Sequence, residues 1–451
     1  MRSSPSDRVA TRVVRVATIV SLTLALLLGV HRLGFAHATL LRSEPAAGSH
    51  LASSPSLVRL VFSEEMEPTL AQLAVGGAHG QAIKLVASGD PRDVNAIVAP
   101  VSELPAGAYR LRWRVVSADG HPVEGSFTFT VGASAVAAPP VSEAVAAAEE
   151  PPVTWGPVAG GAPLIPAVLR GLGVGTLMAL GGLLLFLSWP RPATDVVPRR
   201  AMRVATVFGV AAPVLLALHF MAWSINADAD HSLTSASMSA AMASGVGRME
   251  MWRVGLALLS LWALVLTRRV QLALLFALAA LLVSGATGHA AAIDPVWAEP
   301  FKAMHLVAAA AWLGGLLWLV CLDRTDVERF VRESMRVSSV ALIAVIAVTL
   351  SGLVQTGLFL SAPADLFFTT YGLIVLAKVV GMLILIAFGA NHRKRVLPVL
   401  RDAQSGARFV ALLRRELVVF AIVVLVGGLL AYVPPAVKAS VDASTSHSSA
   451  Q

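Results

Sequence analysis

The chain has 451 residues, of which 56% are hydrophobic and 14% are charged, and its formal net charge is +8. A mean hydropathy of +0.73 excludes an ordinary soluble protein, and the apolar excess lies almost wholly after residue 160. The positive charge does not indicate a nucleic-acid-binding protein, because Arg and Lys gather in short loops between apolar segments, as in membrane proteins.

Residues 1–36 have the order of a secretory signal peptide: arginines, the apolar run Val16–Val30, and then small residues at Gly34 and Ala36. Cleavage after Ala36 would make His37 the first residue of the mature chain, with its α-amine beside its imidazole. Cu(II) favours nitrogen-rich, tetragonal ligand sets of this kind. The alternative is an uncleaved anchor helix, in which His37 is an ordinary surface residue.

Residues 37–132 predict an antiparallel, immunoglobulin-like β-sandwich. Hydrophobic and polar residues alternate at Leu57–Phe62, Tyr109–Val115 and Ser126–Val131, and Gly and Pro residues separate these runs. Residues 133–162, which are rich in Ala and Pro and have no period, predict a linker.

Asp119 and His121 lie between two of the predicted strands. Residues two positions apart on an extended segment point to the same side. With a free His37 they would supply an amine nitrogen, two imidazole nitrogens and a carboxylate oxygen, a set that suits Cu(II). Asp-Gly alone is usually just a turn, so the prediction depends on both halves of the site.

Three segments resemble the periplasmic copper-binding CopC family over nearly all of residues 37–132: His37-Ala-Thr-Leu-Leu-Arg-Ser-Glu-Pro, Leu60-Val-Phe-Ser-Glu64 and Val116-Ser-Ala-Asp-Gly-His-Pro-Val-Glu-Gly-Ser. The resemblance implies a β-sandwich whose Cu(II) ligands are the amine and imidazole of His37 with Asp119 and His121. It also implies that Glu64 lies near the copper.

The chain departs from some CopC members in its methionines. Those members carry a methionine-rich Cu(I) loop, whereas no Met lies between Met66 and Met178 here. We therefore expect no separate Cu(I) site in the sandwich, and we interpret His50 and His79 as solvated surface residues.

From Pro163 onward the chain is a series of apolar segments near twenty residues, the length that a helix needs to cross about 30 Å of hydrocarbon. We predict an all-α membrane bundle of eight helices over residues 163–433, at about 163–188, 203–224, 250–267, 270–289, 301–322, 336–360, 369–390 and 413–433. Arginines crowd alternate loops, which places the sandwich and the polar C-terminal tail, 434–451, outside the cytoplasmic membrane.

Two segments in this part resemble the CopD family of copper-resistance membrane proteins: Ser284-Gly-Ala-Thr-Gly-His289-Ala-Ala-Ala, and Phe301-Lys-Ala-Met-His305 continuing to Ala311-Trp312-Leu-Gly-Gly315. The resemblance extends over most of residues 160–433. A CopC-like domain followed by a CopD-like bundle implies a copper-handling fusion protein.

Three histidines lie near the predicted outer ends of the helices: His219, His289 and His305. Ionisable groups in a bilayer usually face the bundle interior, so these residues predict a membrane copper path. The alternative interpretation is that each of these histidines lies at the membrane interface and bonds to the backbone of a loop. Six methionines occur on the same side, and thioethers suit Cu(I), although Met is also a common core filler; they are Met221, Met238, Met242, Met249, Met251 and Met304.

Lys378 lies about nine residues into the predicted seventh helix, without an acidic residue at comparable depth, and we assign it to a polar path or to carbonyls of a broken helix. Arg170 and Arg253 are predicted to snorkel towards the outer surface. The pairs Gly181-Gly182 and Gly314-Gly315 predict close approach of helices.

The sequence therefore predicts copper binding and transport across the cytoplasmic membrane, with an exported Cu(II) domain that exchanges copper with the bundle. The expected partners are copper ions, the lipid bilayer and exported copper carriers. The chain has no phosphate-binding loop motif and no Cys-x-x-Cys, so we expect neither an enzyme nor an ATP-driven pump. Two alternatives stay open: a b-type haem electron-transfer protein with histidine axial ligands, and a copper-sequestering domain on a membrane anchor.

Overall fold

The computed structural model describes residues 39–77, 82–132, 163–190, 192, 195–287, 298–360, 362–400 and 402–433. They form two compact units, one from the described parts of His37–Gly160 with Met221–Arg248 and one from those of Gly161–Phe220 with Met249–Gln451. The predicted signal peptide, the linker, the C-terminal tail and the residues His37, His79 and His289 lie outside the described residues.

The first unit contains the predicted β-sandwich. Its strands are β1 Leu40–Glu44, β2 His50–Leu51, β3 Leu57–Phe62, β4 Gln72–Gly77, β5 Ile83–Leu85, β6 Ser88–Asp90, β7 Asp93–Pro100, β8 Gly107–Val116 and β9 Pro122–Val131. One sheet has the order β1-β3-β7-β6 and the other β2-β9-β8-β4-β5. All pairs are antiparallel except the two-residue pairing of β2 with β9, so the β-sandwich prediction is confirmed with that one addition.

The strands form because alternate residues can be buried between the sheets. Along β3, Val58, Leu60 and Phe62 are fully buried, while Leu57 at its start is exposed. The Phe62 ring meets the Trp113 ring edge-on at 5.2 Å between centroids. Gly125 leaves room for that indole, since a Cβ there would lie 2.5 Å from Trp113 Cζ2.

The segment Met221–Arg248 belongs to this unit, which the sequence did not indicate. Arg114, 1% exposed, donates a 2.7 Å hydrogen bond to the carbonyl of Asn226 and pairs with Glu124 at 3.0 Å. Gln72 Nε2 donates to Asp228 Oδ1 at 3.2 Å. Burial alone would raise the pKa of Asp228, but the donors of Ser232 and Gln72 outweigh it and the pKa is lowered. Polar bonds thus fasten the segment to the sheet of β4 and β8.

The second unit is helical. The described part of the chain contains ten α-helices: α1 Leu164–Ser188, α2 Arg199–Ala227, α3 Ser235–Ala243, α4 Gly245–Val265, α5 Val270–Gly285, α6 Ala298–Cys321, α7 Val327–Phe359, α8 Asp365–Phe368, α9 Thr370–Asn391 and α10 Ala403–Leu430. The end of α2, all of α3 and the start of α4 belong to the sandwich unit. Each of the eight predicted segments coincides with a helix, and α3 and α8 are additional.

Five of these helices are long and apolar enough to cross a bilayer, namely α1, α2, α6, α7 and α9 with its continuation to Val399. Helix α5 is apolar but has only 16 residues. Helices α4 and α10 coincide with predicted spans. Among the described residues, however, neither is at once long enough, apolar enough and poor enough in charged residues to count as one of the five. The fold class predicted from the sequence, a β-sandwich followed by an α-helical membrane bundle, is confirmed.

Glycines set the closest contact in the bundle. A Cβ on Gly182 of α1 would overlap the carbonyl of Ala310, and a Cβ on Gly314 of α6 would overlap the backbone of Gly182. The predicted role of these glycines in close helix approach is therefore confirmed.

Candidate metal centre and membrane cavity

A tight turn brings the two predicted copper ligands of the sandwich together. After β8 ends at Val116, the amide of Gly120 donates to the Ser117 carbonyl at 2.8 Å. Gly120 has φ +92°, a left-handed conformation that glycine adopts without a Cβ clash. The chain can then return at once into β9, so that Asp119 and His121 lie on either side of this glycine.

Asp119 and His121 are in direct contact and mostly buried. His121 Nδ1 lies 2.8 Å from Asp119 Oδ1, and the exposed fractions of the two side chains are 9% and 10%. The backbone N–H of His121 donates to the same Oδ1 at 3.1 Å, and the hydroxyl of Ser117 also bonds it. The loop therefore presents a preorganised carboxylate and imidazole.

The chain start and the Glu64 segment come to the same end of the sandwich. The N–H of Thr39 donates to Ser63 Oγ at 3.0 Å, directly before half-buried Glu64. The N–H of Ala118 donates to the carbonyl of Glu65 at 2.9 Å. His37, two residues before Thr39, lies outside the described residues. Within the described ranges no group of three or more His, Cys, Asp or Glu side chains is placed to hold a metal.

Trp223 is a residue of this site that sequence reasoning missed. Its Nε1 donates a 2.8 Å hydrogen bond to the carbonyl of Gly120, between the two predicted ligands. Beside it, the N–H of Val246 donates to Glu67 Oε1 at 3.1 Å. The only sequence signal was an indole at the end of a predicted membrane helix, which is usually read as an interfacial anchor.

In the helical unit, His219 forms part of a buried polar cluster. Its Nδ1 lies 3.3 Å from Glu250 Oε2, and its Nε2 lies 2.7 Å from the hydroxyl of Tyr432. Glu250 also bonds Arg253, and all three side chains His219, Glu250 and Arg253 are at most 1% exposed. The prediction that Arg253 snorkels is therefore wrong, because a buried carboxylate one turn away pairs with it.

His305 and Lys378 line one cavity of about 190 Å³ in the helical unit, which His219 does not line. His305 Nδ1 lies 3.0 Å from Ser351 Oγ, and His305 and Lys378 interact electrostatically. Lys378 forms no hydrogen bond or ion pair with any described residue. Arg170 and Lys302 also line the cavity, whereas its described lining contains no carboxylate.

The predicted methionines are not in this cavity. Met249, Met251 and Met304 are 40%, 38% and 38% exposed and do not line it. The thioethers that do line it belong to Met178 and Met382. The sequence analysis named methionines near the helix ends, whereas the methionines that line the cavity lie further inside the helical unit.

Comparisons with known proteins match three families at successive parts of the chain. The CopC domain family matches residues 40–132, the family of copper resistance protein D-like N-terminal domains matches 162–299, and copper resistance protein D matches 327–430. The inner membrane protein YebZ of Escherichia coli (strain K12) is 31% identical over 201 residues, which are 42% of this chain and 69% of YebZ. The chain belongs to the CopC–CopD copper-resistance family.

Two further relatives are similar to this CopC–CopD chain. The copper transport protein CutJ of Bacillus subtilis (strain 168) is 28% identical over 383 residues, which are 79% of this chain and 68% of CutJ. The crystal structure of CopC from Methylosinus trichosporium OB3b is 34% identical, covers 21% of this chain and 94% of that chain, and gives a TM-score of 0.21. With its long apolar helices, the CopC–CopD chain is a multi-pass membrane protein of a copper-handling family.

Proposed function

We propose that the sandwich binds Cu(II) and exchanges copper with the helical bundle, which moves copper across the cytoplasmic membrane. The proposal rests chiefly on the contact of His121 with Asp119, mostly buried beside the segments of Thr39 and Glu64. The relative CutJ is named a copper transport protein, which supports transport rather than storage.

In this proposal His37, freed by signal-peptide cleavage, supplies its amine and imidazole nitrogens, and Asp119 and His121 complete the ligand set. An imidazole binds a metal through an unprotonated nitrogen, so copper binding requires His121 in its neutral form. Glu64 stays near the copper without being assigned as a ligand.

The bundle receives copper at its cavity. His305 offers an imidazole nitrogen, and Met178 and Met382 offer thioethers. Two unit positive charges about 8 Å apart repel each other by roughly 2 kcal/mol at an effective dielectric constant near 20. The basic side chains of Arg170, Lys302 and Lys378 would therefore disfavour a bare divalent ion wherever they are charged, and neutral donors have to carry the binding.

We place the sandwich, His219, His289 and the methionines Met249, Met251 and Met304 on the outer side, where His219 and the methionines flank the route to the cavity. A linker of about thirty residues, 133–162, keeps the donor domain near the bundle at a high effective concentration. The crowded arginines of the opposite loops favour the cytoplasmic side.

Copper EPR of the purified chain tests the exported site. His121→Ala should abolish the tight Cu(II) signal, and Asp119→Asn should alter it. His50→Ala serves as the matched control, because His50 is exposed and bonds Thr130 on β9. An unchanged spectrum in His121→Ala would contradict the assignment.

Flux of copper into proteoliposomes tests the receiving cavity. His305→Ala should reduce flux about tenfold or more while the EPR signal of the sandwich remains. Flux at the wild-type rate would move the receiving site elsewhere.

The haem alternative needs facing histidines with free ring nitrogens. His219 has both nitrogens engaged, by Glu250 and Tyr432, so it cannot serve as an axial partner for His305, which bonds Ser351 through Nδ1 alone. These contacts favour copper transport over haem ligation. An absorption spectrum of the purified chain without a haem Soret band would support this choice, and a stoichiometric band would contradict it.

A further inference from the structure

A second cavity, of about 230 Å³, lies in the same helical unit, next to the end of α9 and the start of α10. His392 and Glu416 line it, as do the exposed basic residues Arg393 and Lys394, and most of the other described lining residues are apolar. Neither residue belongs to the copper path predicted from the sequence. Trp312 and Leu385 line both this cavity and the one that contains His305.

The same faces of α6 and α9 line both cavities, which makes the two cavities parts of one route. Along α6, His305 and Trp312 are seven residues apart, and along α9 the same spacing separates Lys378 from Leu385. Residues seven apart lie on nearly the same side of a helix. On α10, Glu416 lines the second cavity, and Phe420, one turn further, lines the first.

The route extends through most of a bilayer. Its lining on α6 runs from Lys302 to Leu319. That length is roughly 26 Å at 1.5 Å per residue, against about 30 Å of hydrocarbon.

The route is closed in its middle by packed side chains. Trp312, Leu385 and Phe420 are 3%, 2% and 4% exposed. The rings of Trp312 and Phe420 meet edge-on, with 5.5 Å between their centroids. Trp312 and Glu416 both line the second cavity, so the barrier adjoins it.

The second cavity offers ligands for a cation. His392 Nδ1 lies 3.3 Å from Glu416 Oε2, and the two side chains are 8% and 1% exposed. Both His392 Nε2 and Glu416 Oε2 are buried, and neither atom has a hydrogen-bond partner among the described residues, the 3.3 Å contact being an ion-pair distance only. Burying such groups costs free energy unless a partner compensates them. Glu416 is also the one carboxylate in the described lining of either cavity.

We infer that His392 and Glu416 form a second copper site at the far end of the route from His305, with Trp312 as the barrier between the two sites. This inference rests on the proposed copper transport. An imidazole nitrogen and a carboxylate oxygen are both ligands that copper accepts. Two protein ligands bind weakly enough for release, which conduction through successive sites requires.

Copper binding by the full chain tests the second site directly. The double variant His121→Ala, His305→Ala removes an imidazole from each of the other two proposed sites, and in equilibrium dialysis at saturating copper we expect it to hold about one copper per chain. Adding Glu416→Gln, or in a separate variant His392→Gln, should remove that copper. Retention in both triple variants, or no retained copper in the double variant, would overturn the inference.

Flux in proteoliposomes gives the functional readout. Glu416→Gln and His392→Gln should each lower copper flux about tenfold or more, with the EPR signal of the sandwich unchanged. Both substitutions nearly preserve side-chain volume, and the unchanged signal together with the elution profile of the purified chain reports folding. Glu328→Gln is the matched control, because Glu328 is an exposed carboxylate in the first turn of α7.

The outcomes separate the two proposals. Wild-type flux in both Glu416→Gln and His392→Gln overturns the second site alone. Absence of copper flux in the wild-type chain overturns the proposed transport and this inference with it.

Discussion

Gly120 controls the geometry of the proposed copper loop. Its φ of +92° is strained for any residue with a Cβ. A Cβ there would also lie 3.3 Å from Trp223 Nε1 and 3.4 Å from Val246 Cγ1. A side chain at this position would therefore strain the loop and press on the Met221–Arg248 segment.

Gly120→Ala should lower the Cu(II) affinity of the chain by roughly five- to thirtyfold, since about 1–2 kcal/mol of strain acts on the loop itself. Competition with a coloured copper chelator measures the affinity. Gly48→Ala is the control: Gly48 has φ +74° but no atom within 4 Å of an added Cβ. Equal affinities in both variants would show that strain in the loop does not reach the metal site.

Asp90 gives the sandwich a dependence on pH. A hydrogen bond from Arg59 Nε at 2.7 Å, together with the positive charge of Arg59, lowers the pKa of Asp90 below its ordinary value. Folding lowers the pKa of this carboxyl, so its ionised form stabilises the fold at any pH above the pKa that it has in the unfolded chain. This stabilisation is lost as the pH falls through the lower pKa that it has in the folded chain.

Asp90→Asn should therefore reduce the hydrogen-exchange protection of β3, β6 and β7 at pH 7. The difference from the wild type should shrink below about pH 4, where the unfolded carboxyl is protonated. A difference that persists unchanged below pH 3 would mean that packing, and not charge, holds this corner of the sandwich.

At the scale of elements, the contact of α1 with α6 is the sharpest constraint in the bundle. Gly314→Ala should reduce the stability of the full chain in detergent by about 1–3 kcal/mol, because the new Cβ overlaps the backbone of Gly182. Gly255→Ala is the matched control in α4, where an added Cβ meets nothing within 4 Å. The control should be neutral or stabilising by up to about 1 kcal/mol. Thermal unfolding of both variants measures the difference.

The elements themselves could be predicted from local patterns. Alternation at Leu57–Phe62 indicates β3, and apolar length indicates the eight predicted segments, because burial and hydrocarbon thickness act on a single stretch of chain. The packing of Trp223 on Gly120 could not be predicted, since 103 residues separate the two. The pairing of His392 with Glu416 also depends on how α9 and α10 pack.

At the scale of the whole molecule, the sequence predicted a copper-handling fusion because each half carries its own family-like segments. From their spacing of two, it predicted that Asp119 and His121 point to the same side of the chain. It did not predict which polar groups meet inside the bundle: His219 joins Glu250 and Arg253, whereas His305 shares a cavity with Lys378. Which polar side chains meet depends on how each helix is rotated about its own axis, and hydropathy does not determine this rotation.

Flux of copper through the reconstituted chain tests the central claim most directly. Vesicles that contain a trapped copper-sensitive dye are prepared with the wild-type chain, with no protein, and with the variant His121→Ala, His305→Ala. We predict that copper crosses at a protein-dependent rate in the wild type and at the protein-free rate in the variant. Equal rates in wild-type and protein-free vesicles would contradict copper transport by this chain.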